Sequence, residues 1–248
     1  MRNPVSGLYE ALAANAAIED RFTADATVDT PLRGSQPVTD WVRDEKAWLD
    51  EQQAAVHAIN HIVTNTHASA EYSLAITYQA EAIDLPLHLV AEFDGEQIAS
   101  LRAYHSTYPL TQEHIVRAPL VLPNEDLHAA APVGAYEAAM AEGDPAALDA
   151  LFEPDGYVRE PAGAAFRHQG VDRMGFYGPA FSGGPVPLQL CTIIDDGAAL
   201  AFEYVCDQWG PAALPPQAGS AVYVRSPSGL LEAVRIYDDV SPPPELFE

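Results

Sequence analysis

The chain contains one short strand-like phrase twice. Leu101–His105 reads LRAYH and Val234–Asp238 reads VRIYD, and in both phrases apolar residues alternate with Arg and Tyr. Such alternation over a short run is typical of a β-strand that is buried on one face. The two phrases stand near the ends of the two halves of the chain, so the fold must accommodate two similar units.

The halves also begin alike and match in between. SGLYEALA is similar to VGAYEAAM, which aligns Tyr9 with Tyr136, and LAITYQA is similar to LAFEYVC, which aligns Tyr78 with Tyr204. The matching pieces keep their order while their spacing drifts by a few positions. This indicates an internal duplication with loop insertions rather than a solenoid of short repeats.

Length and composition suffice for two cores and exclude one class of partner. The chain has 248 residues, of which 48% are hydrophobic, and this is enough for two domains of about 120 residues each. Acidic residues number 36 against 12 basic ones, so the formal charge is −24. A surface this acidic repels phosphate backbones, and we therefore expect no nucleic-acid partner.

The sequence also predicts no membrane partner. Its first residues, MRNPVSGLYEAL, lack an apolar core of signal-peptide length. No window approaches the roughly 18 consecutive apolar residues of a membrane span. We therefore expect a cytoplasmic protein.

Periodicity predicts the same order of elements in both halves: helix, short strand, helix, then three or four long strands joined by hairpins. In the first half we expect helices over 6–24 and 37–57, the second capped by Thr39 or Asp40, and strands over 25–31, 58–65, 72–83, 85–93 and 97–107. In the second half we expect a helix pair over 133–152 with Asp144 as an internal cap, a helix over 170–181, and strands over 156–161, 187–195, 198–207, 220–225 and 230–240.

These elements divide the chain into a first unit over 1–108, a connector over 109–132, a second unit over 133–241 and a proline-rich tail over 242–248. The connector includes a candidate strand over 116–122 and is apolar enough to pack across a domain. Helices that are segregated from a sheet indicate the α+β class. We predict two tandem cone-shaped α+β rolls, in each of which a curved antiparallel sheet wraps around helices and leaves a pocket.

Three phrases of the chain have a familiar form: AYEAAMAEGDPAALDALFEPDGYVREP in the second half, and FTADATVDTP and NHIVTN in the first. The first phrase resembles the opening of the ketosteroid isomerases and SnoaL-like polyketide cyclases of the nuclear transport factor 2-like superfamily. The second matches part of the same opening, and the third resembles the start of the sheet in these proteins. The resemblance covers both halves and leaves out the connector and the tail. It implies the fold more than the activity, because this fold hosts isomerases, cyclases, dehydratases, epoxide hydrolases and non-catalytic modules.

The resemblance implies roles for particular residues. Ketosteroid isomerases place an oxyanion-donating tyrosine in the first helix, here Tyr136, and a carboxylate base just before the proline that ends the first strand, here Glu160. Their second acidic donor would fall near Ala221, so it is missing. In the first half Tyr9 keeps the tyrosine position, but Thr30 stands at the base position. Neither half therefore holds the complete set.

The closing strands offer another acid. Asp238 falls on the same strand face as the apolar residues before it, so we expect it at the mouth of the second pocket, with His105 at the mouth of the first. Members of the superfamily also draw an acid from this strand, although a solvated strand end fits the pattern equally well. The repeated Arg and Tyr fall on the convex face. We expect the two units to pair through that face as an intramolecular pseudo-dimer, which leaves the chain itself a monomer.

Further residues should line the pockets, although core packing or an ordinary hydrogen bond would also explain them. The residues that we expect to contact a ligand are Tyr204, Tyr157, His168, Tyr177, Tyr78, His61, His105 and Tyr9. His57 and His61 have a spacing that suits a metal only on a helix. On a strand they would stand about 13 Å apart, so we predict no metal site.

Two functions remain open. The first is an enzyme that acts without a cofactor on a small hydrophobic polyketide-, terpenoid- or steroid-like molecule, as an isomerase, cyclase or dehydratase. Glu160 or Asp238 would be its base and Tyr136 or Tyr204 its donor, because burial raises the pKa of a carboxyl group toward the useful range. The alternative is a non-catalytic protein with the same fold that binds a small ligand or serves as a scaffold.

Overall fold

The computed structural model describes residues 4–241, with Ala164 described by its backbone only. The predicted tail over 242–248 therefore lies outside the described residues. The chain divides into unit 1, Met1–Glu113, and unit 2, His114–Glu248.

Each unit consists of short helices and a large sheet. The elements of unit 1 are α1 (Leu8–Ala13), β1 (Phe22–Thr30), β2 (Gly34–Pro37), α2 (Val38–Glu51), β3 (Ala55–Val63), β4 (His67–Tyr78), β5 (Glu81–Asp94), β6 (Gln97–Tyr104) and α3 (Tyr108–Thr111). Those of unit 2 are α4 (Val133–Glu142), α5 (Pro145–Asp149), β7 (Phe152–Arg159), β8 (Arg167–Gln169), α6 (Arg173–Ala180), β9 (Gln189–Asp195), β10 (Ala199–Trp209), β11 (Ala212–Arg225) and β12 (Leu231–Tyr237).

The two sheets have the same topology. The strand order is β2-β1-β6-β5-β4-β3 in unit 1 and β8-β7-β12-β11-β10-β9 in unit 2. The predicted α+β class and internal duplication are thereby confirmed. The sheets are mixed rather than wholly antiparallel, because β1 runs parallel to β6 and β7 runs parallel to β12. These partners are distant in sequence, so no hairpin forces them to run in opposite directions.

The pairing registers make the two sheets equivalent residue by residue. Val28 pairs with Leu101 as Val158 pairs with Val234, and the remaining ladders extend this equivalence across both sheets. The equivalent pairs that matter below are Thr30 and Glu160, Tyr72 and Tyr204, Leu87 and Gly219, and, just beyond the closing strands, His105 and Asp238.

The registers correct one match made from the sequence. Tyr72 pairs with Leu87 as Tyr204 pairs with Gly219, so the counterpart of Tyr204 is Tyr72 and not Tyr78. The match was wrong because β4 carries both tyrosines and the surrounding letters favoured the second. Tyr78 is instead the last residue of β4, directly before the turn into β5.

The first helix of unit 1 is shorter than predicted. It ends at Ala13 because Asn15 adopts the left-handed conformation and the N–H of Ala16 reaches back to the carbonyl of Ala11 at 2.9 Å. Such a turn ends a helix wherever a residue tolerates a positive φ, as Asn does. The chain then enters β1 at Phe22, so the predicted helix over 14–24 is wrong.

The second helix also differs at both ends. It begins at Val38 behind Pro37, and the described residues give it no side-chain cap, so Thr39 and Asp40 do not cap it. It ends at Glu51, where Gln53 has a φ of 50° and closes the helix as Asn15 does. His57 therefore lies on β3. In unit 2 the predicted Asp144 cap is confirmed, since its carboxylate accepts hydrogen bonds from the N–H groups of Ala146 and Ala147.

The connector packs on unit 2, as its composition predicted. The Arg117 carbonyl accepts from the Ala218 N–H at 2.8 Å, and the Asn124 N–H donates to the Leu190 carbonyl at 2.8 Å. The predicted strand over 116–122 is wrong, because this part of the described chain forms no regular ladder. Its four prolines within 109–132 lack the N–H groups that a ladder needs.

Candidate active site

Unit 1 contains a cavity between its helices and the core-facing side of its sheet. The cavity is open to solvent, and the space along its lining, about 380 Å³, includes part of that solvent. Its apolar lining consists of Leu32, Trp48, Leu74, Leu85, Leu87 and Ala103. Its polar lining consists of Tyr9, Thr30, Arg33, Glu45 and His105. An apolar cavity with a few convergent polar groups is the usual form of a small-molecule site.

Glu45 is the central polar residue of this cavity. It lies on the buried stripe of α2, four residues after Trp41 and three before Trp48, and its side chain is only 9% exposed. The Tyr9 hydroxyl donates to Oε1 of Glu45 at 2.9 Å, and Nη1 of Arg33 donates to Oε2 at 2.8 Å. Both carboxylate oxygens are therefore held in place by side chains from other elements.

Burial sets the acid–base character of this group. It raises the pKa of Glu45, while the charge of Arg33 and the hydrogen bonds from Tyr9 and Arg33 act in the opposite direction. Burial and the neighbouring Glu45 also raise the pKa of Tyr9 well above its usual value. A partly desolvated carboxylate beside an apolar space can accept a proton from a bound molecule.

Tyr9 lies in the cavity, but its bonding differs from the role that the resemblance implies. A tyrosine hydroxyl has one hydrogen, and that of Tyr9 is directed to Glu45. In this arrangement Tyr9 orients the carboxylate and does not point its hydrogen at a ligand.

His105 and Thr30 complete the polar lining. Nδ1 of His105 lies 3.0 Å from the Ser106 carbonyl, which can only accept, so Nδ1 carries a hydrogen. The Thr30 hydroxyl accepts from the backbone N–H of Arg33 at 3.3 Å and fixes the turn that carries the guanidinium. Both residues lie at the positions in unit 1 that Asp238 and Glu160 occupy in unit 2.

In unit 2 the tyrosine of the first helix has another partner. The hydroxyls of Tyr136 and Tyr177 are 3.1 Å apart and both residues are buried. The ring of Tyr223 packs edge-on against Tyr136, with centroids 5.2 Å apart. Where unit 1 has a tyrosine–carboxylate pair, unit 2 has a tyrosine pair of neutral hydroxyls, whose pKa values burial raises.

Asp238 is buried and paired with a second predicted residue. The Tyr204 hydroxyl donates to Oδ2 of Asp238, and the N–H of Val240 donates to Oδ1 at 3.2 Å. Burial raises the pKa of Asp238 to about 7, and Asp239 adds to this, while the Tyr204 hydrogen bond opposes it. Near neutral pH both protonation states of the group are therefore populated, which suits a general acid or base.

A glycine makes this pairing sterically allowed. A Cβ atom on Gly219 would stand 2.4 Å from the ring of Tyr204, far inside van der Waals contact. The equivalent position in unit 1 holds Leu87. The absence of a side chain at 219 thus gives the Tyr204 ring the space from which its hydroxyl reaches Asp238.

Glu160 has a third set of contacts. Its Oε1 lies 2.6 Å from Nε2 of His168, and the imidazole stacks on the ring of Phe176 with centroids 5.5 Å apart. Both members of the pair are partly exposed. The predicted catalytic residues Glu160, Tyr136 and Asp238 thus each have a different partner, and the roles predicted for them stay predictions.

Three of the predicted ligand contacts lie elsewhere. Tyr157 alternates with the buried Val158, and its hydroxyl accepts from Arg235 at 3.0 Å on the sheet face away from the core of unit 2. His61 is exposed on β3, and Tyr78 packs at the edge of the unit 1 core. The structure brings Tyr9 and His105 to one cavity, and it pairs Tyr136 with Tyr177 and Tyr204 with Asp238.

Sequence reasoning missed Glu45 and Arg33. The signal for Glu45 was present, because a carboxylate between Trp41 and Trp48 interrupts the apolar stripe of an amphipathic helix. Arg33 lies in the turn between β1 and β2 and has no such signal. Its contact with Glu45, twelve positions away, depends on how the turn folds over α2.

The described residues form neither a metal-binding cluster nor a membrane-spanning helix. Among the described residues, no group of three or more His, Cys, Asp or Glu side chains is arranged to hold a metal ion. No helix formed by residues 4–241 is long and apolar enough to cross a membrane.

Comparisons with known proteins concern the fold. No protein-family model matches the sequence, and no curated protein matches it significantly. Solved structures that are similar include a protein with a ketosteroid isomerase-like fold from Catenulispora acidiphila, in complex with trimethylamine. It has 21% identity and a TM-score of 0.36, and the match covers 43% of this chain and 87% of that one.

Two other similar structures are named as candidate polyketide cyclases. A candidate polyketide cyclase from Sinorhizobium meliloti has 17% identity, covers 42% of this chain and 94% of that one, and has a TM-score of 0.35. A candidate SnoaL-like polyketide cyclase from Jannaschia sp. CCS1 has 12% identity, covers 41% and 81%, and has a TM-score of 0.35. Each match spans about the length of one unit.

Proposed function

We propose that this chain is an enzyme that uses the acid–base chemistry of its own side chains on a small hydrophobic carbonyl compound, as an isomerase or cyclase. The observation that carries the proposal is Glu45, a buried carboxylate held by Tyr9 and Arg33 in the wall of a largely apolar cavity. Glu45 would remove a proton from the carbon next to the carbonyl group and return it at another atom.

Unit 2 supports a second proton-transfer pair of the same kind. Asp238 has a pKa of about 7 and a hydrogen bond from Tyr204. Its position is equivalent to that of His105, which lines the unit 1 cavity. We propose Asp238 as the acid–base group of unit 2 and Tyr204 as the residue that positions it.

Deuterium incorporation tests the proposal without knowledge of the substrate. A panel of small cyclic ketones, enones and 1,3-dicarbonyl compounds is incubated with the protein in D₂O, and loss of the proton signals is followed by NMR. We expect exchange above the buffer rate for at least one compound, and Glu45→Gln should slow it by about 10²- to 10⁴-fold, the usual contribution of a general base.

The matched control is Asp50→Asn, which makes the same change of a carboxylate to an amide at an exposed position of α2. It should leave the exchange rate unchanged. If compounds bind equally to the wild type and to Glu45→Gln and none exchanges its protons, the chain is a binding protein and the enzyme proposal is wrong.

A further inference from the structure

The guanidinium of Arg33 has more donors than the protein uses. It carries five N–H groups, and among the described residues its side chain donates only to Glu45. Arg33 lines the cavity and its side chain is 28% exposed, whereas that of Glu45 is 9% exposed. Arg33 is thus the more exposed member of the pair, and its remaining N–H groups have no acceptor among the described residues.

Two of the other polar groups of the cavity donate their hydrogens to the protein itself. The Tyr9 hydrogen is directed to Glu45, and the Nδ1 hydrogen of His105 is directed to the Ser106 carbonyl. The Thr30 hydroxyl accepts from the Arg33 backbone N–H and keeps its single hydrogen. A ligand that enters this cavity thus meets one hydrogen of Thr30 and several of Arg33, all of which select an oxygen acceptor.

We infer that Arg33 is the oxyanion-binding residue of unit 1, and that the substrate is a small neutral carbonyl compound, with 1,3-dicarbonyls as the best-fitting class. This inference rests on the proposed function. A planar guanidinium matches two oxygens in one plane, which is the arrangement in a 1,3-dicarbonyl enolate.

Charge explains why the substrate enters in its neutral form. Arg33 and Glu45 cancel each other in the empty site, and the chain as a whole carries −24. An anion from solution would meet a repulsive protein and a carboxylate that is already paired. A neutral carbonyl compound avoids both costs and places its oxygen on the spare N–H groups.

Proton transfer then exchanges the partner of Arg33. Glu45 takes the α-proton, the electron pair of the broken C–H bond forms the C=C bond, and the π pair of the carbonyl moves to oxygen. Glu45 becomes neutral at the step in which the oxygen becomes negative. Arg33 thereby loses the charge of the Glu45 carboxylate as its ionic partner and gains the negative oxygen of the substrate. Its interaction with that oxygen is therefore strongest in the enolate.

The test uses acetylacetone, whose enolate and neutral forms have different ultraviolet spectra. Titrated into the wild type at a pH where the free compound is neutral, it should show the enolate spectrum when bound. Arg33→Met should weaken binding at least tenfold and leave the bound compound neutral. The matched control is Arg43→Met, an exposed arginine of α2 that pairs with Asp40 and Asp44, and it should behave as the wild type.

Two further variants separate the possible failures. Arg33→Met leaves the Glu45 carboxylate without its ionic partner. The double variant Arg33→Met/Glu45→Gln makes the cavity lining neutral again, and it too should lack the enolate spectrum. Glu45→Gln alone should lose deuterium exchange, because its amide cannot take the α-proton. An enolate spectrum that persists in both Arg33 variants refutes the inference and leaves the proposed function standing. Unchanged exchange in Glu45→Gln refutes the proposed function instead.

Discussion

Raising the pH from 5 to 8 should destabilise unit 2 through Asp238. The pKa of this group is about 7 in the folded chain against an ordinary 3.8. Between these values the folded state holds a proton that the unfolded state has lost, so folding becomes less favourable as the pH rises. The contribution is complete below about pH 4 and has disappeared once the pH passes through 7.

The size of the effect follows from the pKa difference. At about 1.4 kcal/mol per pH unit, the whole interval from 3.8 to 7 corresponds to about 4 kcal/mol. The part between pH 5 and pH 7 corresponds to about 3 kcal/mol. For a protein of this size that amounts to roughly 6–12 °C in Tm.

The assay measures the free energy of unfolding of the wild type and of Asp238→Asn by urea titration at pH 5, 6, 7 and 8. Pulsed hydrogen exchange with mass spectrometry shows which transition belongs to β10–β12. Asparagine can still accept the Tyr204 hydrogen bond but cannot ionise. The difference in unfolding free energy between the two proteins should therefore shift by about 3 kcal/mol in favour of the variant across this range. Asp172→Asn, at an exposed position of unit 2, serves as the control. Parallel curves for the wild type and Asp238→Asn would refute the reasoning.

Two substitutions in unit 2 give further tests. Gly219→Ala should lower the free energy of unfolding by about 1–3 kcal/mol, because the new Cβ displaces the buried Tyr204 ring. Urea unfolding measures this loss. Gly175→Ala, where a Cβ meets nothing within 4 Å, is the control for adding a methyl group. Glu160→Gln should change stability by less than about 1 kcal/mol, because its contact with His168 is partly exposed; a loss of 3 kcal/mol would mean that the pair is far better shielded than its exposure indicates.

Much of the fold could be predicted because its determinants are local or repeated. Alternation marked the strands, and the repeated closing phrase revealed the duplication that the two strand orders confirm. Helix ends were harder to place, since the left-handed turns at Asn15 and Gln53 use residues that also occur inside helices. The match of Tyr78 to Tyr204 failed because letters alone cannot fix a register, whereas backbone pairing can.

The candidate site was less predictable because its decisive contacts join separate elements. Tyr9 and His105 could be placed near a pocket from their positions in a helix and behind a strand. Glu45 and Arg33 could not, because neither has meaning until α2 and the β1–β2 turn meet. The family resemblance directed attention to Thr30 as the missing base of unit 1, while the carboxylate came from the next helix.

The space above Gly219 also constrains how the two copies could have diverged. With any side chain at 219, the Tyr204 ring cannot occupy its present place, so the contact with Asp238 is closed to a chain that still has a leucine there, as unit 1 does at 87. A stepwise path that starts from a leucine at this position must therefore lose that side chain before the tyrosine and the aspartate can make their contact. For the same reason, replacing Gly219 alone by the leucine of unit 1 should disrupt the contact between Tyr204 and Asp238.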